Sequence, residues 1–179
     1  MACKRYHYFV EGDCEKKLFD SFKNVKGRRI KTGKVEIFNV AKEKLSLAKV
    51  LSIPKDTIVV LQYDTDVANI EVIRYNVELL TKFKNAKRIE IIHVISVLNF
   101  EDEILRSTSL KNINSLFNTN GTAEFKYKFI HHKDIVTKLN SVSFSLDKMY
   151  SKKPEEPFDQ YFCDFKNLLE GKNKDKNKK

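Results

Sequence analysis

The sequence predicts an α/β fold: a small parallel sheet with helices on both faces, followed by a C-terminal, mostly helical extension. Three observations carry that expectation. Apolar runs rich in β-branched and aromatic residues recur near residues 5–10, 35–40, 57–63 and 88–96, separated by segments with helical spacing. The runs Ile58-Val-Val-Leu61 and Ile91-Ile-His-Val-Ile95 are close to continuous rather than alternating, as in strands covered on both faces. Strands separated by helix-length connections pair in parallel through right-handed crossovers, which gives the order βαβαβαβ.

Taken in order, Arg5-Tyr-His-Tyr-Phe-Val10 is the first strand and runs into Glu11-Gly12. Leu18, Phe19 and Phe22 share a helical face over residues 13–22, with Asp13 placed as N-cap and Gly12 giving a tight, open junction. A basic connector over 23–34 leads to a second strand at 35–40. A helix over 42–51 turns Leu45, Ala48 and Leu51 inward. Pro54 punctuates the approach to the central strand. Residues 70–83 return to helical spacing with Ile70, Ile73, Val77, Leu80 and Phe83 inward, and 88–96 is the fourth strand. Beyond it the pattern weakens. A helical turn at 100–105, a short helix at 110–117, an alternating edge strand at 125–130, short helices at 134–142 and 146–150, and an amphipathic helix at 158–169 are expected. This divides the chain into a core over 1–106, an extension over 107–170 packed on it, and a basic tail over 171–179 that is expected to be disordered alone.

The chain has 179 residues, enough for one full core, and a formal net charge of +10. The five Lys and one Asp of the tail account for +4 of that, leaving +6 on the remainder. A polyanion is therefore the first partner class to consider. Three unpaired-looking cysteines, at positions 3, 14 and 163, argue against a disulfide scaffold and a structural zinc site. The N-terminal apolar run is too short for a signal peptide and no stretch is long enough to span a membrane, so a cytoplasmic location is expected.

Acids fall where the predicted parallel strands end. Glu11 follows the first strand, Asp64 and Asp66 the third, and Ser96-Val-Leu-Asn-Phe-Glu101 the fourth. In an extended segment positions i and i+2 point the same way, so Asp64 and Asp66 are placed to share one cation. Ligands bind beyond the carboxyl ends of strands in open α/β sheets. Such a cluster suits Mg²⁺ or Mn²⁺ through oxygen ligands. The plainer alternative is a set of surface acids, with one serving as helix cap.

The elements Phe9-Val-Glu-Gly12, followed by a helix, and Val60-Leu-Gln-Tyr-Asp-Thr-Asp66 resemble the Toprim domain of topoisomerases, primases and OLD-type nucleases. The element Ser96…Asn99-Phe100-Glu101, with Glu11-Gly-Asp-Cys-Glu15, is similar to RloB-like proteins, a Toprim-related group linked to bacterial anti-phage defence. The resemblance implies that Asp64 and Asp66 hold Mg²⁺ and that Glu11 acts in metal binding or acid/base chemistry. It adds Glu15 and Glu101 as further ligand candidates. The implied activity is metal-dependent phosphodiester hydrolysis of DNA or RNA. By the same likeness the partner is an ABC-type ATPase, since the chain has no P-loop of its own. The alternative is a non-catalytic nucleic-acid- or protein-binding module with a degenerate Toprim site. A homo-oligomer is open in either case.

Lys16, Arg28, Arg29, Lys126, Lys128 and Lys133 are the candidate contacts to a nucleic-acid backbone. Other residues have plainer readings. Glu15 could favour the positive end of its helix, and residues 101–103 could be a solvated first turn capped by Asn99. His131-His132 reads as surface and His93 as core. Cys14 lacks the partners of a nucleophile, and Tyr63 belongs to its strand.

Overall fold

The computed structural model describes residues 4–66 and 68–171. The elements in chain order are β1 (Arg5–Val10), α1 (Asp13–Phe22), β2 (Arg29–Ile30), β3 (Lys34–Ile37), α2 (Leu47–Ser52), β4 (Thr57–Asp64), α3 (Ile70–Lys82), α4 (Lys84–Lys87), β5 (Glu90–Ser96), α5 (Phe100–Ser107), α6 (Thr122–His131), α7 (Ile135–Asn140) and β6 (Leu169–Glu170). The main sheet has the order β3-β1-β4-β5, and every neighbouring pair is parallel. This is the α/β class that the continuous apolar runs indicate. All eight residues of β4 are buried, which explains why its apolar run does not alternate.

The chain leaves β1 for β3 on one side of it, then crosses back to β4 on the other. The carboxyl ends of β1 and β4 are therefore the topological switch point of the sheet.

The period-2 alternation of β1 and β4 divides the core in two. Phe9, Val59, Leu61 and Tyr63 pack with Val50 of α2 and with Ile73 and Leu80 of α3. Tyr8, Val10, Ile58 and Val60 pack with Leu18, Phe19 and Phe22 of α1, with Ile104 of α5, and with the extension through Phe125, Phe129, Leu139, Met149 and Phe165. The extension thus continues one hydrophobic core with the sheet. Its end is stitched back to the first connector, where β2 and β6 pair antiparallel and Arg28 donates to Asp147 Oδ1 at 2.7 Å.

Several local expectations are corrected by packing. Residues 125–130 are helix, not edge strand, because Phe125 and Phe129 lie one turn apart and are both fully buried. α2 begins after Ser46, whose hydroxyl accepts from Lys49 N at 3.1 Å; Val50 is buried while Ala48 and Leu51 are exposed. Residues 158–169 form two 3-10 turns, Asp159–Tyr161 and Phe165–Leu168, rather than one helix. Residues 110–117 contain only the 3-10 turn Ile113–Leu116, and 146–150 is turn. The N-cap of α1 is Gly12 rather than Asp13. Its φ of −156° is ordinary extended backbone, so the junction does not need glycine for its conformation. Gly33 is a position that does need one, since a Cβ there would lie 2.4 Å from the carbonyl oxygen of Tyr6. The tail over 172–179, Cys3 and Val67 lie outside the described residues.

Candidate functional site

Asp64 ends β4 on the face shared with Ile58 and Val60, which turns it toward α1 and the extension rather than into open solvent. It is 7% exposed. Its Oδ2 accepts from Phe100 N, the first residue of α5, at 3.2 Å. Its Oδ1 lies 3.4 Å from Gln62 Nε2, which also reaches Ser96 Oγ at 3.3 Å. Ser96 is the register partner of Asp64 across the β4/β5 pair. The spacing from Ser96 to Phe100 therefore wraps the β5–α5 junction around the Asp64 carboxylate.

Glu11 joins from the adjacent strand. Its backbone N–H donates to Gln62 Oε1 at 2.9 Å, and its Oε2 accepts from Asp64 N at 3.0 Å. Glu15 lies one turn into α1 and is 5% exposed. Its Oε2 is curled back toward the helix start, 3.4 Å from where a Cβ on Gly12 would sit. Glu101, in the first turn of α5, pairs with Lys126 Nζ of α6 at 3.1 Å.

These groups feel one another. Burial, then the charge of Glu15 and further that of Glu11, push the Asp64 carboxyl up to about 8; the Ser96 hydroxyl and the Phe100 N–H pull the other way. Burial likewise raises Glu15 to about 7, reinforced by Glu11 and Glu101 and opposed by its own backbone N–H and by Lys126. Burial followed by Glu15 raises the Cys14 thiol to about 12, so it stays protonated and is no nucleophile. Four carboxylates thus gather at the switch point against the single ammonium of Lys126. In low dielectric, such an excess of like charge favours either protons or a cation.

The structure brings together Glu11, Glu15, Asp64 and Glu101. It leaves Asp66 outside the cluster: Asp66 is exposed, and the chain bends after Asp64 so that Asp66 N donates to Leu98 O at 3.2 Å. The i, i+2 argument fails there because β4 ends at Asp64. Among the described residues, no three His, Cys, Asp or Glu side chains are disposed to close around one metal ion. The donor set nonetheless fits a hard cation in type and charge, being all carboxylate oxygen.

The basic residues are placed differently from a continuous binding groove. Lys16 pairs with Asp20, Arg28 with Asp147, Arg29 with Glu170, and Lys128 with Glu124. Arg28 and Arg29 fasten the connector to the end of the extension, and Lys126 belongs to the acid cluster. Lys133 is exposed. His131 lies tilted against the Tyr127 ring at the surface. Tyr63 OH and His93 Nδ1 lie 3.2 Å apart within the opposite core, where burial holds His93 down at about 4.

Two residues have roles the sequence reading did not assign, and the first corrects it, since Glu103 is enclosed rather than part of a solvated first turn. Glu103 is fully buried and anchors the site from below: Oε1 accepts from Val97 N at 3.1 Å and pairs with Arg106, while Oε2 accepts from Tyr150 N at 2.9 Å. Tyr150, in the extension, is the other. Only the i, i+3 spacing of Glu103 and Arg106 hints at the first. Searches against protein-family models, curated proteins and solved structures return no significant match to this chain. No helix among the described residues is long and apolar enough to cross a membrane.

Proposed function

We propose that this chain is a divalent-metal-dependent nuclease of Toprim type, hydrolysing phosphodiesters of DNA or RNA. The observation that carries the reading is the gathering of Glu11, Glu15, Asp64 and Glu101 at the carboxyl ends of β1, β4 and the β5–α5 junction, with Asp64 and Glu15 held at raised proton affinity. Asp64, Glu11, Glu15 and Glu101 would hold Mg²⁺ or Mn²⁺; the ion, when bound, neutralises the scissile phosphate and acidifies water. Asp64 is oriented by Phe100 N and Gln62. Glu11 Oε1, the oxygen not engaged by Asp64 N, is the chain's candidate for accepting a proton from the attacking water. Asp66, exposed just past the end of β4, stays a further candidate ligand only by the resemblance. The net positive charge supports attraction of a polyanion, and the likeness to defence proteins suggests control by an ABC-type ATPase.

The second reading is a binding module whose acid site does not turn over. It is favoured by the absence, among the described residues, of three carboxylates already closed around one point. Cleavage of single- and double-stranded DNA and RNA with Mg²⁺ or Mn²⁺, alongside binding in EDTA, separates the two. Under the nuclease reading Asp64→Asn abolishes cleavage and preserves binding. Cleavage that persists in Asp64→Asn, including after activation by a partner, overturns the catalytic assignment.

A further inference from the structure

Tyr150 combines features that are individually uncommon. Its φ is 51°, the left-handed region that a bulky residue rarely occupies. The backbone there is held by the fully buried Glu103, which accepts from Tyr150 N at 2.9 Å. Its ring packs between Phe19 of α1 and Phe165, with centroids 6.4 and 4.9 Å away. The residue is 1% exposed, and its hydroxyl has no hydrogen-bond partner. A buried hydroxyl left unpaired is costly, so this one is expected to have a partner in another state of the site.

The surroundings indicate which one. Phe19 is one helical turn beyond Glu15, so the ring lies against the α1 face that carries Glu15. Glu103 belongs to α5, whose first residue holds Asp64 through Phe100 N. The charges bearing on the phenol are those of Glu15, Glu103 and Asp64. Glu103 is already occupied by Val97 N, Arg106 and Tyr150 N, and Asp64 by Phe100 N and Gln62. Glu15 is the least engaged of the three, its carboxylate being curled back on its own helix start and held there only by its own backbone N–H.

Resting on the metal-site reading above, we infer that Tyr150 is a positioning residue for that site. Its hydroxyl donates to the Glu15 carboxylate, directly or through one buried water, when the cluster holds a divalent cation. The extension thereby supplies the outer hydrogen bond that fixes the orientation of a ligand carried by the sheet domain.

Mn²⁺ titration of the full chain without nucleic acid tests this, using wild type, Tyr150→Phe, Glu15→Gln and the double variant, with metal-free melting temperatures measured alongside. Tyr150→Phe is expected to weaken Mn²⁺ binding by about 10-fold. Its metal-free melting temperature stays the same or rises, because only an unpaired hydroxyl is removed. In the Glu15→Gln background the same change has less than about a twofold effect, since the two act through one another. Wild-type affinity in Tyr150→Phe, a loss that persists without Glu15, or a lowered metal-free melting temperature each overturns the inference while leaving the metal site standing. A wild type that takes up no Mn²⁺ removes both.

Discussion

On the face covered by α2 and α3, Asn76 is completely enclosed, with its amide oxygen and both amide hydrogens engaged. Its Oδ1 accepts from Leu45 N at 2.7 Å, and its Nδ2 donates to the carbonyls of Val40 and Glu43, both at 2.8 Å. On the face covered by α1 and the extension, Asp64 and Glu15 are almost as deeply enclosed, yet they lie among like charges that raise the proton affinity of both. The first arrangement fixes a loop. The second stores an electrostatic demand that a cation can meet, and it is the satisfied polar groups around it, Glu103 above all, that hold the demand in place. Burial alone does not mark a functional residue; burial without compensation does.

The sharpest way to break that contrast is to remove a compensated group. Glu103→Ala leaves Val97 N, Tyr150 N and Arg106 without their shared acceptor, and chemical denaturation should show a loss of about 3–5 kcal/mol. Asn76→Ala strands Leu45 N and two carbonyls on the other face and should cost about 3 kcal/mol. Neither loss should respond to divalent metal beyond the shift seen in wild type.

The acid cluster should behave in the opposite sense, with the smallest effect. Asp64 and Glu15 bind protons more tightly folded than unfolded, so their contribution is complete below the unfolded carboxylate range and is lost as pH rises through about 7 and 8. His7 and His93 are lowered by burial and act the other way, but only below the ordinary histidine range of about 6.5. Between roughly pH 6.5 and 8.5 the metal-free melting temperature should therefore fall as pH rises. Asp64→Asn should flatten that slope and melt at or above wild type near the alkaline end. Saturating Mg²⁺ should flatten it too, and EDTA restore it. A slope unchanged in Asp64→Asn would show that the charge of this carboxylate is not in conflict with its surroundings.

Where one interaction dominated, the sequence was legible. The continuous run of β4 could bury only in the middle of a parallel sheet, and Glu11 and Asp64 meet because their strands are neighbours. Asn99 caps α5 through Asp102 N at 3.1 Å, as its position before an acidic turn suggests. Local patterns misled where two periods coincide. Phe125, Tyr127 and Phe129 alternate as in a strand, but Phe125 and Phe129 also satisfy i, i+4, and packing on α1 chose the helix. Asp66 was misplaced because extended geometry was carried past the end of its strand. Tyr150 and Glu103 could not be found at all, since their roles depend on contacts between α1, α5 and the extension that no local spacing encodes.

The clasp between β2 and β6 gives the molecule an order of assembly. Ile30 pairs with Leu169 across most of the chain, and the strap it closes holds Phe165 against Tyr150 and Phe19. The sheet and its acids can form from early-synthesised residues, but Phe165 cannot pack on Phe19 and Tyr150 until residues 165–170 have been made. A ribosome-bound chain stopped short of them already has all four acids but lacks the Phe165 ring that packs on Phe19 and Tyr150. Completion of this face of the core is in this sense a timer set by chain length.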